Sequence, residues 1–466
     1  MSTNDGKQNG HLFSKRPLPY DLCLEIFARV PYRHHPSLRL VCQSWSGAVS
    51  SPEMRLARRK CGTLEDWVFV VGRRTPLLDQ AKEMVLRDRS KRGNFSVYGS
   101  GIPDGNLELG AFDPEQRRFY HCGKIPISIS SPLNTRPVGP VAAGDGRFLV
   151  MFMPGTILPS GHSKIRPTPN SDPEFCATWR YDSLQNNWRE GARMICNQRR
   201  GPFACGSIDE KVYVAGGHVG ARDKGGEYSH NFQYPLSSAE VYDPIKDEWQ
   251  LLPPLTIPML ECRGVGVEKK LYVMGFSGRR EYGRLHDLGP MRAEVFDVDK
   301  WEWEVITCSQ LLESFEYYPR PVHEEGDGDH RLRSMMMSRY FDQLGTQSVD
   351  IGGSIFSADQ SAARRQALVL FDCSGRVSKD LRMPDIAGGT WWPFGLAAAN
   401  GELLLLGGEA EYGEHTETTV PDIARMHLKK EGVEAGRNGD WVLEQAAELS
   451  GDNKMKEVIG CVTLRV

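Results

Sequence analysis

Short apolar runs closed by turn residues recur along the chain. Lys211–Gly217 reads KVYVAGG, an apolar run ending in a glycine pair. Ala239–Trp249 reads AEVYDPIKDEW, an alternating run, an Asp-Pro turn, then a tryptophan six residues after Asp243. Each is the pattern of a β-strand bounded by turn chemistry. Positions 136, 200, 259 and 391 open equivalent stretches, ahead of GRFLV (146–150), KVYVAGG, KLYVMG (270–275) and ELLLLGG (402–408). Their separations are 64, 59 and 132 residues, the last about twice the others. A hidden copy is therefore expected in the middle, where Arg320-Pro-Val echoes Arg136-Pro-Val.

The second half of the unit leads to the same count. An aromatic-Asp pair closes a strand at Phe112-Asp113, Tyr181-Asp182, Tyr242-Asp243, Phe296-Asp297 and Phe371-Asp372. Six residues beyond the Asp stand Phe119, Trp188, Trp249 and Trp303, with Ser378 in the fifth copy. A carboxylate at a strand end can accept a hydrogen bond from backbone two residues on and hold a turn. The aromatic then returns on the next strand, where it fills space between stacked sheets. A period of about 60 with four short strands per copy predicts a mainly β, propeller-like fold. Six blades are expected, or five if 304–390 is only a loop. Lys456–Leu464 is a strand with no partner strands after it, and Asp66–Gly72 a strand with none before it. Val458–Leu464 should thus lie beside Trp67–Val71, so that the C-terminal strand closes the ring and removes exposed edges.

Over residues 17–60 the period changes from two to 3.6. Leu22, Ile26, Phe27 and Val30 fall on one helical face before Pro31 breaks the pattern. After a turn at 32–36, Leu38, Val41, Cys42, Trp45 and Val49 follow helical spacing again. Pro52 and Glu53 start a basic helix ending Arg58-Arg59-Lys60, and His34-His35 is placed in a solvent-facing turn. Such short helices bury little core alone, so they should pack on a partner or on the β domain.

Composition narrows the picture. Across 466 residues the net charge is −3, which argues against nucleic acid or an anionic membrane as partner. No apolar run reaches the roughly 18 residues that a spanning helix needs. Residues 1–16 lack the apolar core of a signal peptide and read as a disordered tail. The eleven cysteines are scattered singly, without C-x-x-C or clustered Cys/His spacing, which argues against zinc and for reduced thiols. The expected location is intracellular, in cytoplasm, nucleus or both, and the domains expected are 17–60 and 61–466.

The string LP-Y-DL-LEIFARVP followed by SLRLVCQSWSGAVSSPEMRLARRK closely resembles an F-box. The matching positions are Leu18, Pro19, Asp21, Leu22, Ile26, Val30, Pro31, Leu38, Val41, Cys42, Trp45, Val49 and Pro52. The glycine pairs and the spaced tyrosine and tryptophan beyond it resemble a kelch propeller, so the whole is similar to plant-type F-box/kelch-repeat proteins. Blade five departs from that pattern, lacking a clean glycine-pair strand and the tryptophan. Blade two departs as well, with Met151-Phe152-Met153-Pro154 in place of the glycines. The resemblance implies a six-bladed kelch β-propeller behind a small all-α F-box. It also implies the role of substrate-recognition subunit in a Skp–cullin–F-box ubiquitin ligase, with no cofactor. The Skp adaptor, and through it the cullin, would contact Leu18, Pro19, Leu22, Ile26, Val41 and Trp45, and an unidentified protein would occupy the propeller. Trp45 is equally suited to anchor that contact or to fill the helical core. The alternative reading is a kelch scaffold that binds proteins without ligase assembly.

The residues opening the first strand of each copy should ring one end of the central channel. They are Arg136, Arg199, Arg200, Met259 with Arg263, Arg320, Trp391 and Trp392. Arginine and tryptophan are hot-spot residues, and the guanidinium fork pairs with carboxylate or phosphate. The same residues could instead bond neighbouring carbonyls and pack the last blade. The acidic run Glu324–Asp329 reads as solvated surface. No G-x-S-x-G, P-loop or dinucleotide fingerprint is present, and no helical His pair has metal-binding spacing. Some kelch-type propellers are copper oxidases, but nothing marks the Tyr/His set that chemistry needs, so no enzyme is expected.

Overall fold

The computed structural model describes residues 18–73, 107–125, 135–144, 146–154, 177–196, 203–222, 228–278, 280–281, 291–306, 348–351, 354–359, 367–372, 377–382, 395–406, 423–427, 442–444 and 457–466. Within them the chain is mainly β, with its α-helices between Tyr20 and Cys61. Helix α1 (Tyr20–Ala28) starts behind Pro19, and a 3₁₀ turn at Tyr32–His34 leads into α2 (His35–Arg39). Helix α3 (Gln43–Val49) and α4 (Pro52–Cys61) follow. The single helix expected through Leu38–Val49 is interrupted. Leu40 and Val41 donate back to the Ser37 and Leu38 carbonyls, a tightened last turn, and Cys42 is extended with φ −164°. Helix α4 is bounded by its own sequence. Ser51 Oγ accepts from the Met54 amide at 3.3 Å, Pro52 occupies the first turn, and Gly62 ends it at φ +67°.

The strands pair in antiparallel sheets. β1 (Asp66–Arg73), β2 (Glu108–Asp113) and β3 (Arg118–Lys124) begin the first. β4 (Thr135–Ala142), β5 (Arg147–Pro154), β6 (Ala177–Asp182) and β7 (Asn187–Glu190) form the second. In the third, β8 (Ala204–Ile208) and β9 (Lys211–Ala215) are followed by a projecting hairpin, β10 (His218–Arg222) and β11 (Tyr228–Pro235). The sheet then resumes with β12 (Ala239–Asp243) and β13 (Glu248–Leu251). The fourth contains β14 (Leu260–Val267) and β15 (Lys270–Phe276), then, past the two-residue β16 (Arg280–Glu281), β17 (Met291–Asp297) and β18 (Glu302–Ile306). β16 pairs with β11 instead, tying two inter-strand connections into a three-stranded sheet. The fifth is β19 (Ser348–Ile351), β20 (Ser354–Asp359), β21 (Ala367–Asp372) and β22 (Val377–Arg382). The sixth is β23 (Gly395–Ala399), β24 (Glu402–Leu406), β25 (Ile423–His427) and β26 (Val442–Glu444). β27 (Glu457–Arg465) pairs antiparallel with β1, Val462 opposite Phe69 and Leu464 opposite Trp67, and so gives the first sheet its fourth strand. The first strands of successive sheets touch: β4 with β8, β8 with β14, β14 with β19, β19 with β23, and β27 with both β23 and β4.

The repeat chemistry takes the expected form. Asp243 Oδ1 accepts from the Ile245 and Lys246 amides at 3.0 and 3.2 Å, and Asp113 and Asp297 hold the same turn. Tyr181–Trp188, Tyr242–Trp249 and Phe296–Trp303 are register pairs with ring centroids 5.1 Å apart. The Trp249 and Trp303 indoles donate to Ala192 and Pro253 carbonyls on the segments entering their sheets. Gly216 of the glycine pair has φ +71°, and a Cβ there would lie 2.4 Å from Cys262 Sγ in the next sheet. Two buried carboxylates escape the sequence pattern. Glu240 accepts from the Ile195 and Cys196 amides, and Glu294 from those of Thr256 and Ile257. The fifth copy is out of the expected phase. Its first strand is β19, and Arg320, outside the described residues, lies 28 positions earlier, because the long insertion after β18 breaks the spacing.

Candidate functional site

Helix α1 is apolar on two sides. Cys23, Leu24, Phe27 and Ala28 are buried, and the last three join Ala48, Val49 and Met54 in a small core. Leu22 and Ile26, four residues apart, point to water and are 44% and 41% exposed. The expectation that Leu22, Ile26 and Phe27 share one face is therefore corrected: Phe27 belongs to the core side. Val41, in the turn between α2 and α3, is 58% exposed, and its neighbour Leu40 is 88% exposed. Leu40 was missed because it falls out of phase with the helical spacing through Leu38 and Val41. Leu56 on α4 is also exposed. Pro19 is exposed and Leu18 half-buried. Trp45 is half-buried, its ring 4.7 Å from that of Phe27 and inclined at 56°. It thus packs against the helical core while staying partly exposed.

Leu22, Ile26, Leu40 and Val41 cost the free protein solvation while adding little to its core, and exposed large apolar side chains that gather into a patch mark interaction sites. Among the described residues no group of three His, Cys, Asp or Glu side chains could hold a metal ion. Among the described residues no helix is long and apolar enough to cross a membrane.

The other side of the helical segment is fastened to the sheets. Tyr32 donates through its hydroxyl to the Ser183 carbonyl at 2.8 Å, and its ring meets Trp67 edge-on at 5.0 Å. Arg33 lies 3.7 Å from Asp113, Arg39 donates to the Leu184 carbonyl, and Arg59 lies 3.5 Å from Glu210. Those partners sit in the β2–β3, β6–β7 and β8–β9 turns, all at one end of the sheets. His35 corrects a sequence expectation: it is fully buried, while His34 alone faces water. Burial and then the adjacent Arg58 charge push His35 down to about 4. Glu65 is also held below the ordinary carboxylate value. Burial opposes this, but hydrogen bonds from the Trp67 indole, the Arg58 guanidinium and the Tyr32 amide outweigh it.

The arginine–tryptophan rim is placed only at two positions. Arg136 lies in β4, near the end away from the helices, and Arg263 is half-buried in β14 opposite Met274. Arg199, Arg200, Arg320, Trp391 and Trp392 lie outside the described residues, as do residues 1–16 and the acidic run Glu324–Asp329.

With this geometry in view, comparison with known families is direct. A family model described as F-box domain matches residues 17–56, and one described as Kelch motif matches 199–256. The F-box/kelch-repeat protein At1g80440 of Arabidopsis thaliana is 34% identical over 291 residues, 62% of this chain and 68% of that protein. This chain belongs to the F-box/kelch-repeat family. Two other members from Arabidopsis thaliana extend the coverage. At1g67480 is 25% identical over 87% of this chain and 82% of its own length. At2g44130 is 29% identical over 61% of this chain, a match that spans 63% of that relative. The F-box match ends inside α4, so the exposed residues Leu22, Ile26, Leu40 and Val41 all fall within it, and the Kelch match covers most of the third sheet.

Proposed function

We propose that this chain is the target-recognition subunit of a Skp–cullin–F-box ubiquitin ligase, working in the cytoplasm or nucleus. The observation that carries the reading is an F-box whose apolar residues divide between two surfaces. One set makes its own core, and the other, with Leu22, Ile26, Leu40 and Val41, faces water with no use inside the chain. That second set receives the Skp adaptor, with Pro19 and the half-buried Trp45 beside it, and the cullin is recruited through the adaptor. An amphipathic helix offering spaced anchors is a common way of filling a partner's groove.

The six sheets act as the blades of one propeller, closed by β27. The supports for this are the pairing of β27 with β1 and the run of first-strand contacts that leads from β27 through β4, β8, β14, β19 and β23 back to β27. Thr463 adds a hydrogen bond at 2.7 Å to the Ala398 carbonyl across the last junction. The target protein takes the end away from the F-box, where the connections between second and third strands emerge and Arg136 begins β4. The chain itself performs no chemistry; ubiquitin transfer follows from holding the target near the charged conjugating enzyme.

Affinity capture with the full chain tests this. A Skp-type adaptor should co-purify, and a variant lacking residues 1–60 should lose it while keeping other partners that accumulate when degradation is blocked. Capture of those partners without any adaptor would favour a kelch scaffold that does not assemble a ligase.

A further inference from the structure

Arg58 on α4 is fully buried, and its position between the two domains has a chemical consequence. Of its five N–H donors, Nε–H bonds the Val466 carbonyl at 3.3 Å, one residue past β27. Nη1 bonds the Val30 carbonyl at 2.8 Å and reaches His35 Nε2 at 3.2 Å. Nη2 bonds the Thr63 carbonyl and Glu65 Oε1, the latter at 2.9 Å. Glu65 in turn pairs with Val466 through both backbone groups, at 2.9 and 3.0 Å, and its carboxylate takes the Tyr32 amide and the Trp67 indole. One guanidinium is thus satisfied only when four segments meet: the α1 exit, α2, the Thr63–Glu65 link and the residue after β27.

We infer that the F-box and β27 form a single cooperative unit locked by Arg58, so that only a chain with β27 seated on β1 holds its helices in adaptor-competent form. The reason is energetic. A buried guanidinium robbed of part of its acceptors is costly, because desolvation is not returned. Unseating β27 removes the Val466 acceptor and the two backbone bonds that place Glu65, which also frees the anchor of Tyr32. The helices contribute only a small core of their own. Loss of this seat therefore reaches α1, whose outer side carries Leu22 and Ile26, although β27 is nowhere part of that face. In this way incomplete or opened receptors are kept from occupying the adaptor. The adaptor clause rests on the function proposed above; the cooperative unit does not.

Two measurements on the full chain decide it. Hydrogen exchange of the unmodified protein in low denaturant should show amides of α1, α4, β1 and β27 opening together with one denaturant dependence. Helices opening well before β27, with β27 still protected, would overturn the inference. Deletion of residues 457–466 should then raise exchange in α1 and α4 by about tenfold or more, the worth of one charged hydrogen bond. It should also reduce adaptor capture. Unchanged helical protection and capture would overturn the inference equally. R58M, similar in length but without donors, should accelerate exchange at Val462 and Leu464 on β27, and R58K should not restore it, because an ammonium has three donors in place of the fork. Exchange changes confined to α4 in R58M would refute the coupling. If the unmodified chain captures no adaptor, the ligase reading fails while the exchange data still decide the coupling.

Discussion

The division of apolar residues on the F-box makes a quantitative prediction. Substituting L40A together with V41A removes two side chains that are 88% and 58% exposed in the free protein. Complete burial of such side chains is worth about 1.5–3 kcal/mol each, so the fraction already covered contributes about 1–1.5 kcal/mol to folding. If the adaptor covers what is exposed, the same scale assigns about 2–4 kcal/mol to the complex, a fall in affinity of about 30-fold or more. The matching control is F27A, which deletes a buried ring packed on Trp45 and should cost about 3–5 kcal/mol of stability. Titration calorimetry with a purified Skp-type adaptor, alongside denaturant unfolding of each free variant, separates the two effects. Unchanged affinity in L40A/V41A would remove these residues from the adaptor face. A loss of stability as large as that of F27A would show instead that they are core residues.

The scaffold and the domain seat make predictions of their own. E294A strands the Thr256 and Ile257 amides, each now 2.8 Å from a carboxylate oxygen, and should lower stability by about 2–5 kcal/mol in denaturant unfolding. A loss below about 1 kcal/mol would mean that water replaces the carboxylate. G266A places a methyl 2.2 Å from the Ser207 carbonyl oxygen of the neighbouring sheet, so β8 and β14 must separate; thermal unfolding should drop by several degrees, and an unchanged midpoint would refute the close approach. Acid should loosen the F-box seat. His35, near 4 when folded and near 6.5 when free, binds its proton more readily unfolded, so stability is full above about 6.5 and falls toward 4, by about 3 kcal/mol in total. Glu65, also lowered, loses its contribution in the same direction, as pH falls through its folded value. H35Q should flatten the pH dependence of unfolding over this window, and an unaltered slope would exclude His35 as a source.

How much of this was legible depended on whether the signal was local. The Asp turns and the aromatic six residues on are set within one hairpin, and Asp243, Tyr242 and Trp249 could be read directly. The placement of Val458–Leu464 beside Trp67–Val71 follows from repeat counting, since a missing strand at one end matches a surplus strand at the other, whereas the individual pairs such as Val462 with Phe69 do not. Non-local chemistry was not legible. Arg58-Arg59-Lys60 reads only as the basic end of a helix, and the sequence does not distinguish its members, yet Arg58 is buried, Arg59 faces Glu210 and Lys60 faces Glu25. His35 is expected in water because it falls in a turn between helices; its burial is decided by the Tyr32 and Arg58 side chains around it. Glu240 and Glu294 each stand two residues before the aromatic of their copy, a regularity visible in the chain but meaningful only once the facing amides are known.

The seat also constrains how a target would be presented. Only Gly62–Glu65 separates α4 from β1, and Thr63 and Glu65 are both held, by Ala28 and by Arg58 respectively. The F-box is therefore oriented by contacts with three turns, not by a tether whose length could vary. Strands of five to eight residues span about 17–26 Å at roughly 3.3 Å per residue. The F-box end and the opposite end of the sheets are thus held a fixed distance of that order apart. On the proposed reading, target lysines near the conjugating enzyme are selected by how the target sits on the far end, since the link between the F-box and β1 is held at Thr63 and Glu65. Recognition and reach become one geometric property, written in the turns that Tyr32, Arg33, Arg39 and Arg59 grip.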